Sequence, residues 1–133
     1  MIQTKAKKVT LEKVVHRQLV DYIKWQHPTV IFHTDFAAGN KMTIGQALQN
    51  SKLQSGKSWP DIFIAYPRNG WSGLFIEVKS TREKVFKKDG SLKKDEHIEA
   101  QAQMLAKLKK LDYQAEFGCG FEHCKQIVDE YFN

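Results

Sequence analysis

The chain has 133 residues, 41% of them apolar and 27% charged, which is the balance of a folded domain and not of a disordered segment. Lys and Arg number 21 against 15 Asp and Glu, so the formal net charge of +6 puts polyanions first among candidate partners. No run approaches the ~18 consecutive apolar residues of a membrane span, and Cys119 and Cys124 are too few for a disulfide scaffold.

The length suits a single domain over residues 1–133 that buries a core of its own. Residues 1–8 are basic but have no apolar run behind them, so no secretory signal is expected. A reducing, cytoplasmic location is the expectation from cysteine usage.

The first predicted element is a helix over 11–25, where Leu11, Val14, Val15, Leu19, Tyr22 and Ile23 recur at helical spacing. Thr10 is the expected N-cap, and Glu12 in the first turn would suit the helix dipole. His27-Pro28 ends the element. Residues 29–36 are β-branched and alternating, the pattern of a strand. Ala37-Ala38-Gly39-Asn40 reads as a loop, 43–50 as a short helix capped by Thr43, and 51–58 as polar chain. The whole of 37–58 is a long excursion of the kind that often carries function.

Residues 61–66 and 71–80 read as two strands joined by the turn Pro67-Arg68-Asn69-Gly70, an antiparallel hairpin. Residues 81–94 are basic, with a tight turn at Asp89-Gly90. A second long helix follows over 95–111, with Ile98, Ala102, Leu105 and Leu108 on one face. A strand over 113–119 and a helix over 121–132 close the chain. A helix between the third and fourth strands is a crossover, so the expected class is α/β, a mixed sheet flanked by helices.

The chemistry concentrates on the hairpin. Pro60-Asp61 opens one strand, and Glu77-Val78-Lys79 lies near the end of the next. Residues two apart on a strand share a face, so Phe75, Glu77 and Lys79 project together while Leu74, Ile76 and Val78 face the other way. The turn brings Asp61 back beside Glu77. Two carboxylates and an ammonium then share a small volume on otherwise apolar strands, an arrangement that is costly unless the charges are paired or bind metal. A divalent cation relieves the carboxylate repulsion and prefers hard oxygen ligands, with the Val78 carbonyl a candidate third. Lys79 beside it could orient or deprotonate a water for in-line attack on a phosphodiester. Pro-Asp alone is a common dipeptide and Glu-x-Lys alone is often a solvated strand face; their combination on one hairpin is what makes the pattern specific.

Pro60-Asp61 followed by Glu77-Val78-Lys79 resembles the PD-(D/E)xK nuclease motif, and the element order is similar to that superfamily's αβββαβ core. Within it the chain is most similar to the small standalone VRR-NUC domains of phages and bacteria, which are Holliday-junction-resolvase-like endonucleases. Those domains carry a Glu on the first helix and a Gln on the helix after the catalytic strand, places filled here by Glu12 and Gln101. Gln101 is followed by Met104, Leu105 and Leu108, similar to the family pattern, although Gln103 lies close enough to compete. Family members often have Gly two residues before the Pro, where this chain has Ser58, and the segment between Lys79 and Gln101 is long and basic for a compact member.

The resemblance implies a Mg²⁺-dependent endodeoxyribonuclease, with Mn²⁺ as substitute. Asp61 and Glu77 would be the main metal ligands, Val78 a carbonyl ligand and Glu12 a direct or water-mediated one. Lys79 would be the catalytic lysine, and Gln101 would hold it or a phosphate oxygen. It further implies a homodimer acting on duplex or branched DNA such as four-way junctions. Arg82, Lys84, Lys87, Lys88, Lys93 and Lys94 directly follow the catalytic strand and are candidate phosphate contacts, as are Lys41, Lys52 and Lys57 in the excursion; solvated surface charge is the plainer reading of both groups.

Trp59 and Trp71 flank the hairpin, where they could stack on bases or pack on the sheet. Cys119-Gly-Phe-Glu-His123-Cys124 lacks zinc-knuckle spacing, and the five histidines suggest no catalytic pair, although His16 lies one turn after Glu12. No Gly-rich phosphate loop is present, so no nucleotide cofactor is expected. Two other readings remain open from sequence: a non-catalytic DNA-binding module on the same fold, and a nuclease of RNA or single-stranded DNA.

Overall fold

Alternation along one six-residue strand organises the molecule. The computed structural model describes residues 3–35 and 42–133, with side chains from residue 11 onward. The elements are α1 (Gln3–Gln26), β1 (Phe32–Thr34), α2 (Ile44–Lys52), β2 (Ile62–Ile64), β3 (Leu74–Lys79), a 3₁₀ turn (Arg82–Lys84), α3 (Glu96–Lys110), β4 (Gln114–Cys119) and α4 (Phe121–Phe132). The sheet among the described residues has the order β1-β2-β3-β4. The first three strands run antiparallel, with Ile62 opposite Ile76 and Ile64 opposite Leu74. β4 returns parallel to β3 after the α3 crossover, with Glu77 opposite Phe117 and Lys79 opposite Cys119. This is the mixed α/β sheet expected from the sequence.

Each face of the sheet is covered by helix. Leu74, Ile76 and Val78 meet Val15, Leu19 and Ile23 of α1 and Cys124, Ile127, Val128 and Tyr131 of α4 in one apolar core. Phe75 and Ala115 meet Leu105 and Leu108 of α3 in a second, smaller one. Gly118 of β4 is required on the first side: a Cβ there would lie 2.5 Å from Cys124 Sγ and 2.8 Å from Ile76 Cγ2.

Local signals account for most helix ends. Pro28 disfavours the helical region at His27 and stops α1. Thr43 and Gln46 close a reciprocal capping box on α2, as its Thr43 cap suggested. Asp95 accepts from the Ile98 amide and caps α3, whose basic residues Lys107, Lys109 and Lys110 fall in the last turn. Gly120, at φ +89°, is the single residue that turns β4 into α4.

Several expectations are corrected. α1 begins at Gln3, so Thr10 is inside the helix and does not cap it, and Glu12 is not in a first turn. Residues 3–9 are mostly straight-chain helix formers without an apolar stripe, which is why periodicity missed them. The buried stripe of α1 is also narrower, since Leu11 and Val14 are exposed. β1 and β2 have three residues each, because prolines at 60 and 67 bracket β2 and cannot extend its ladder. The basic segment is built, not loose: Phe86 bridges Leu92, Lys93 N–H donates to the Val85 carbonyl at 2.9 Å, and Val85 is fully buried. The expected loop at 37–40 and Lys41 lie outside the described residues. No helix among those described is long and apolar enough to cross a membrane.

Candidate active site

β2 begins one residue after Asp61, so the Asp61 side chain stands just before the strand, where the ladder would have continued opposite Glu77. Asp61 Oδ2 accepts from the Val78 backbone N–H at 2.7 Å, taking the place of a missing strand neighbour. Its carboxyl group also lies close enough to that of Glu77 to act on it. On the other edge of β3 the Lys79 carbonyl accepts from Gly120 N–H at 2.8 Å. Strand alternation therefore turns the Val78 carbonyl toward the β2 side, beside Asp61.

Glu77 and Lys79 are 4% and 7% exposed, and they project on the α3 side of the sheet with Phe75. Burial, then the charge and hydrogen bond of Asp61, hold the Glu77 carboxyl well above the ordinary carboxylate range, against the opposing pull of Lys79. Glu12 reaches the same cluster from α1. Burial raises its carboxyl too, with Asp61 adding to the effect and Lys79, Lys84 and His97 opposing it. All three carboxyls thus act on one another across the end of β3, and Lys79 acts on two of them.

α3 completes the site. Gln101 is 6% exposed, and Gln103 is exposed on the outer part of the helix, which separates the two glutamines that the sequence left in competition. Gln101 Nε2 lies 3.2 Å from His97 Nε2, one helical turn earlier. Gln101 Oε1 is buried without a hydrogen-bond partner among the described residues. A buried acceptor of that kind is an expensive feature to keep in a structural position. His16 Nε2 is likewise buried without a partner, and burial lowers its ring below the usual histidine range while Asp61 opposes the shift. The sequence placed no catalytic weight on His97. Its only clue was the spacing of four to Gln101, which would have counted once the buried face of α3 was known.

The donor set matches a hard cation held in part by solvent. Among the described residues no group of three His, Cys, Asp or Glu side chains gathers closely enough to hold a metal by itself. Two carboxylates and a backbone carbonyl are the complement that Mg²⁺ accepts, because it keeps several of its waters and takes other oxygens from substrate. The upward shift of the buried Glu77 carboxyl reflects the same carboxylate repulsion that a cation would remove.

The predicted phosphate contacts divide. Lys84 faces the cluster through Glu12. Arg82 stacks over Phe86 at 4.6 Å, and with Lys87, Lys88 and Lys93 it borders a cleft of about 350 Å³. Lys94 and Lys57 are exposed, and Lys57 with Lys107 borders a separate cleft under Trp59. The two tryptophans also divide. Trp71 packs on the core under α1 and α4, and Trp59 lies on the α3 side against Phe75. Cys124 is buried, which pushes its thiol up to about 12, and Cys119 is half-buried. The His27 ring stacks on Phe132, and its Nε2 lies 3.6 Å from Asp129 Oδ1.

No protein-family model matches the sequence, and no curated protein matches it. The fold does have a solved counterpart. A structure described as a VRR_NUC domain protein superposes with a TM-score of 0.60 over 90% of this chain and 86% of its own, at 16% sequence identity. The chain therefore shares the fold of that VRR_NUC domain protein, the architecture its element order led one to expect.

Proposed function

We propose that this protein is a metal-dependent endonuclease that hydrolyses DNA phosphodiester bonds, with selectivity for branched structures such as four-way junctions. The observation that carries the reading is the nearly buried Glu77–Lys79 pair, with Asp61 fixed beside it just before β2 by the Val78 N–H. A structural role offers no reason to gather these charges on an apolar strand.

Asp61, Glu77 and the Val78 carbonyl are the groups that would hold Mg²⁺ or Mn²⁺, with Glu12 acting through a water. The bound ion would supply Lewis acidity and a more acidic water. Lys79 orients the attacking water and offsets charge building on the phosphate. Gln101, with its unpaired Oε1, accepts a hydrogen bond from that water or from the Lys79 ammonium. His97 holds the Gln101 amide in place. The water oxygen bonds to phosphorus as the bond to the leaving oxygen breaks, and the water proton ends on that oxygen. The basic residues 82–94 follow the backbone beyond the cut, giving a contact that is sequence-independent and salt-sensitive.

A homodimer belongs to the same proposal. α2 has no buried residue, and Ile44 and Leu48 are 83% and 58% exposed. Nine residues are too few for a helix that is stable without packing, so a second copy covering α2 fits both facts. Light scattering of the wild type and of an Ile44→Lys/Leu48→Lys variant checks this, and a wild-type monomer would refute it.

The test of activity is cleavage of labelled four-way-junction, linear duplex and single-stranded DNA, and of RNA, with Mg²⁺ or EDTA. Metal-dependent cutting that is lost in Lys79→Ala is the expected result, and the preferred substrate sets the class. Salt-sensitive binding without cutting, unchanged by metal, would overturn the reading in favour of a DNA-binding module.

A further inference from the structure

A cavity of about 340 Å³ opens directly beside Asp61, within the size range of small-molecule sites. Its floor is aromatic. Phe63 and Phe75 stack at 4.5 Å with an interplanar angle of 23°, and Tyr113 meets both edge-on at 5.9 and 5.3 Å. Trp59 closes a side, with its ring 6.1 Å from Phe75. His33, Asp35 and Gln54 stand at the lining and bring polar groups to a mostly apolar space. No step of the proposed chemistry uses these residues.

The cavity is continuous with the carboxylate pair along the same two strands. Phe63 is opposite Phe75, and two residues along each strand stand Asp61 and Glu77. The aromatic pair is therefore about 7 Å from the carboxylates along the strands, the reach from a phosphate to the base of its own nucleotide. A nucleobase is uncharged, flat and polar at its rim, which matches an aromatic floor with amide and imidazole groups at the edge. The cleft bordered by Met104 and Lys107 shares Trp59 with this cavity but does not reach Asp61.

We infer that this cavity is a nucleobase subsite that takes the base next to the scissile phosphate, unstacked from its neighbours. The inference rests on the nuclease reading above and deepens it. A base must leave its stack to enter, and that costs least where it is already unpaired. The subsite therefore selects nucleotides at branch points, loops or single-stranded ends over continuous duplex.

The experiment uses the intact protein with Mg²⁺ and a junction whose cut has been mapped. An abasic residue is placed at each position around the cut in turn, and kcat and KM are measured separately. One position should lose about tenfold in kcat/KM, as expected for one stacked base, with neighbouring positions unaffected. Tyr113→Leu should show that loss on intact DNA and no further loss on the abasic strand. Gln54→Ala changes only the rim and keeps the aromatic floor, so it should show a smaller loss that also disappears on the abasic strand. Cleavage indifferent to abasic placement, in wild type and variants alike, overturns the subsite and leaves the nuclease standing. Absence of metal-dependent cleavage from every substrate removes both.

Discussion

The two faces of β3 differ in kind. Leu74, Ile76 and Val78 are fully buried against α1 and α4, with no charged group among them. One residue out of phase, Phe75, Glu77 and Lys79 are almost as buried on the α3 side, and two of the three are charged. The first face holds the fold together, and the second uses the rigidity so obtained to keep groups in place that would otherwise separate or take up water. Alternation at period two lets one six-residue strand serve both purposes.

Exchanging one residue on each face tests this contrast. Glu77→Gln and Lys79→Ala should lower cleavage by about 10²–10³-fold, the scale of removing one electrostatic group from a reacting centre. Circular dichroism and melting should show both folded. Ile76→Ala should do the reverse, costing about 2–5 kcal/mol of stability as a core truncation while the folded fraction keeps its activity. A Glu77→Gln variant that failed to fold, or an Ile76→Ala variant that folded normally without activity, would break the division between the faces.

The pH dependence of stability sharpens it further. The folded Glu77 carboxyl sits well above its ordinary value of 4.5, and Glu12 is raised in the same direction. A group that binds its proton more tightly when folded contributes stability that is full below its unfolded pKa and is lost as pH rises through the folded one. The metal-free protein should therefore lose stability as pH climbs from about 4.5 toward neutrality, and Glu77→Gln should flatten the slope. Mg²⁺ should restore stability most at the high-pH end, where it need not displace a proton. Thermal melts across pH, with Mg²⁺ or EDTA, measure both.

Two smaller effects separate neighbours. Gln101→Ala should reduce cleavage by about tenfold, the cost of losing a hydrogen bond to a charged or reacting group, while Gln103→Ala on the exposed side should leave it unchanged. Ser58 holds a φ of +66°, a left-handed position that strains any residue with a Cβ. Ser58→Gly should raise stability by up to about 1 kcal/mol, readable as a small rise in Tm.

Much of the fold was legible because its signals are local. The Thr43 cap, the Pro28 stop, the alternation of 74–79 and the span 121–132 depend on a few adjacent residues, and the structure agrees with each. The early start of α1 was not legible, since the sequence of residues 3–9 shows helix propensity without an apolar stripe. Nor was the ordered shape of the basic segment, which depends on Val85 finding a buried place and Phe86 a partner across the turn.

The sequence by itself determined that Asp61, Glu77 and Lys79 would meet. A turn that folds the two strands back on each other and a side-chain period of two bring the three together. Only the tertiary structure decided what surrounds them. It buried Gln101 and exposed Gln103, set Glu12 beside the cluster, brought in His16 and His97, and sent Trp59 and Trp71 to opposite faces of the sheet. Those outcomes depend on which stripe of each helix turns inward and where long connections settle. Both are set by packing between elements far apart in the chain, which no local pattern encodes.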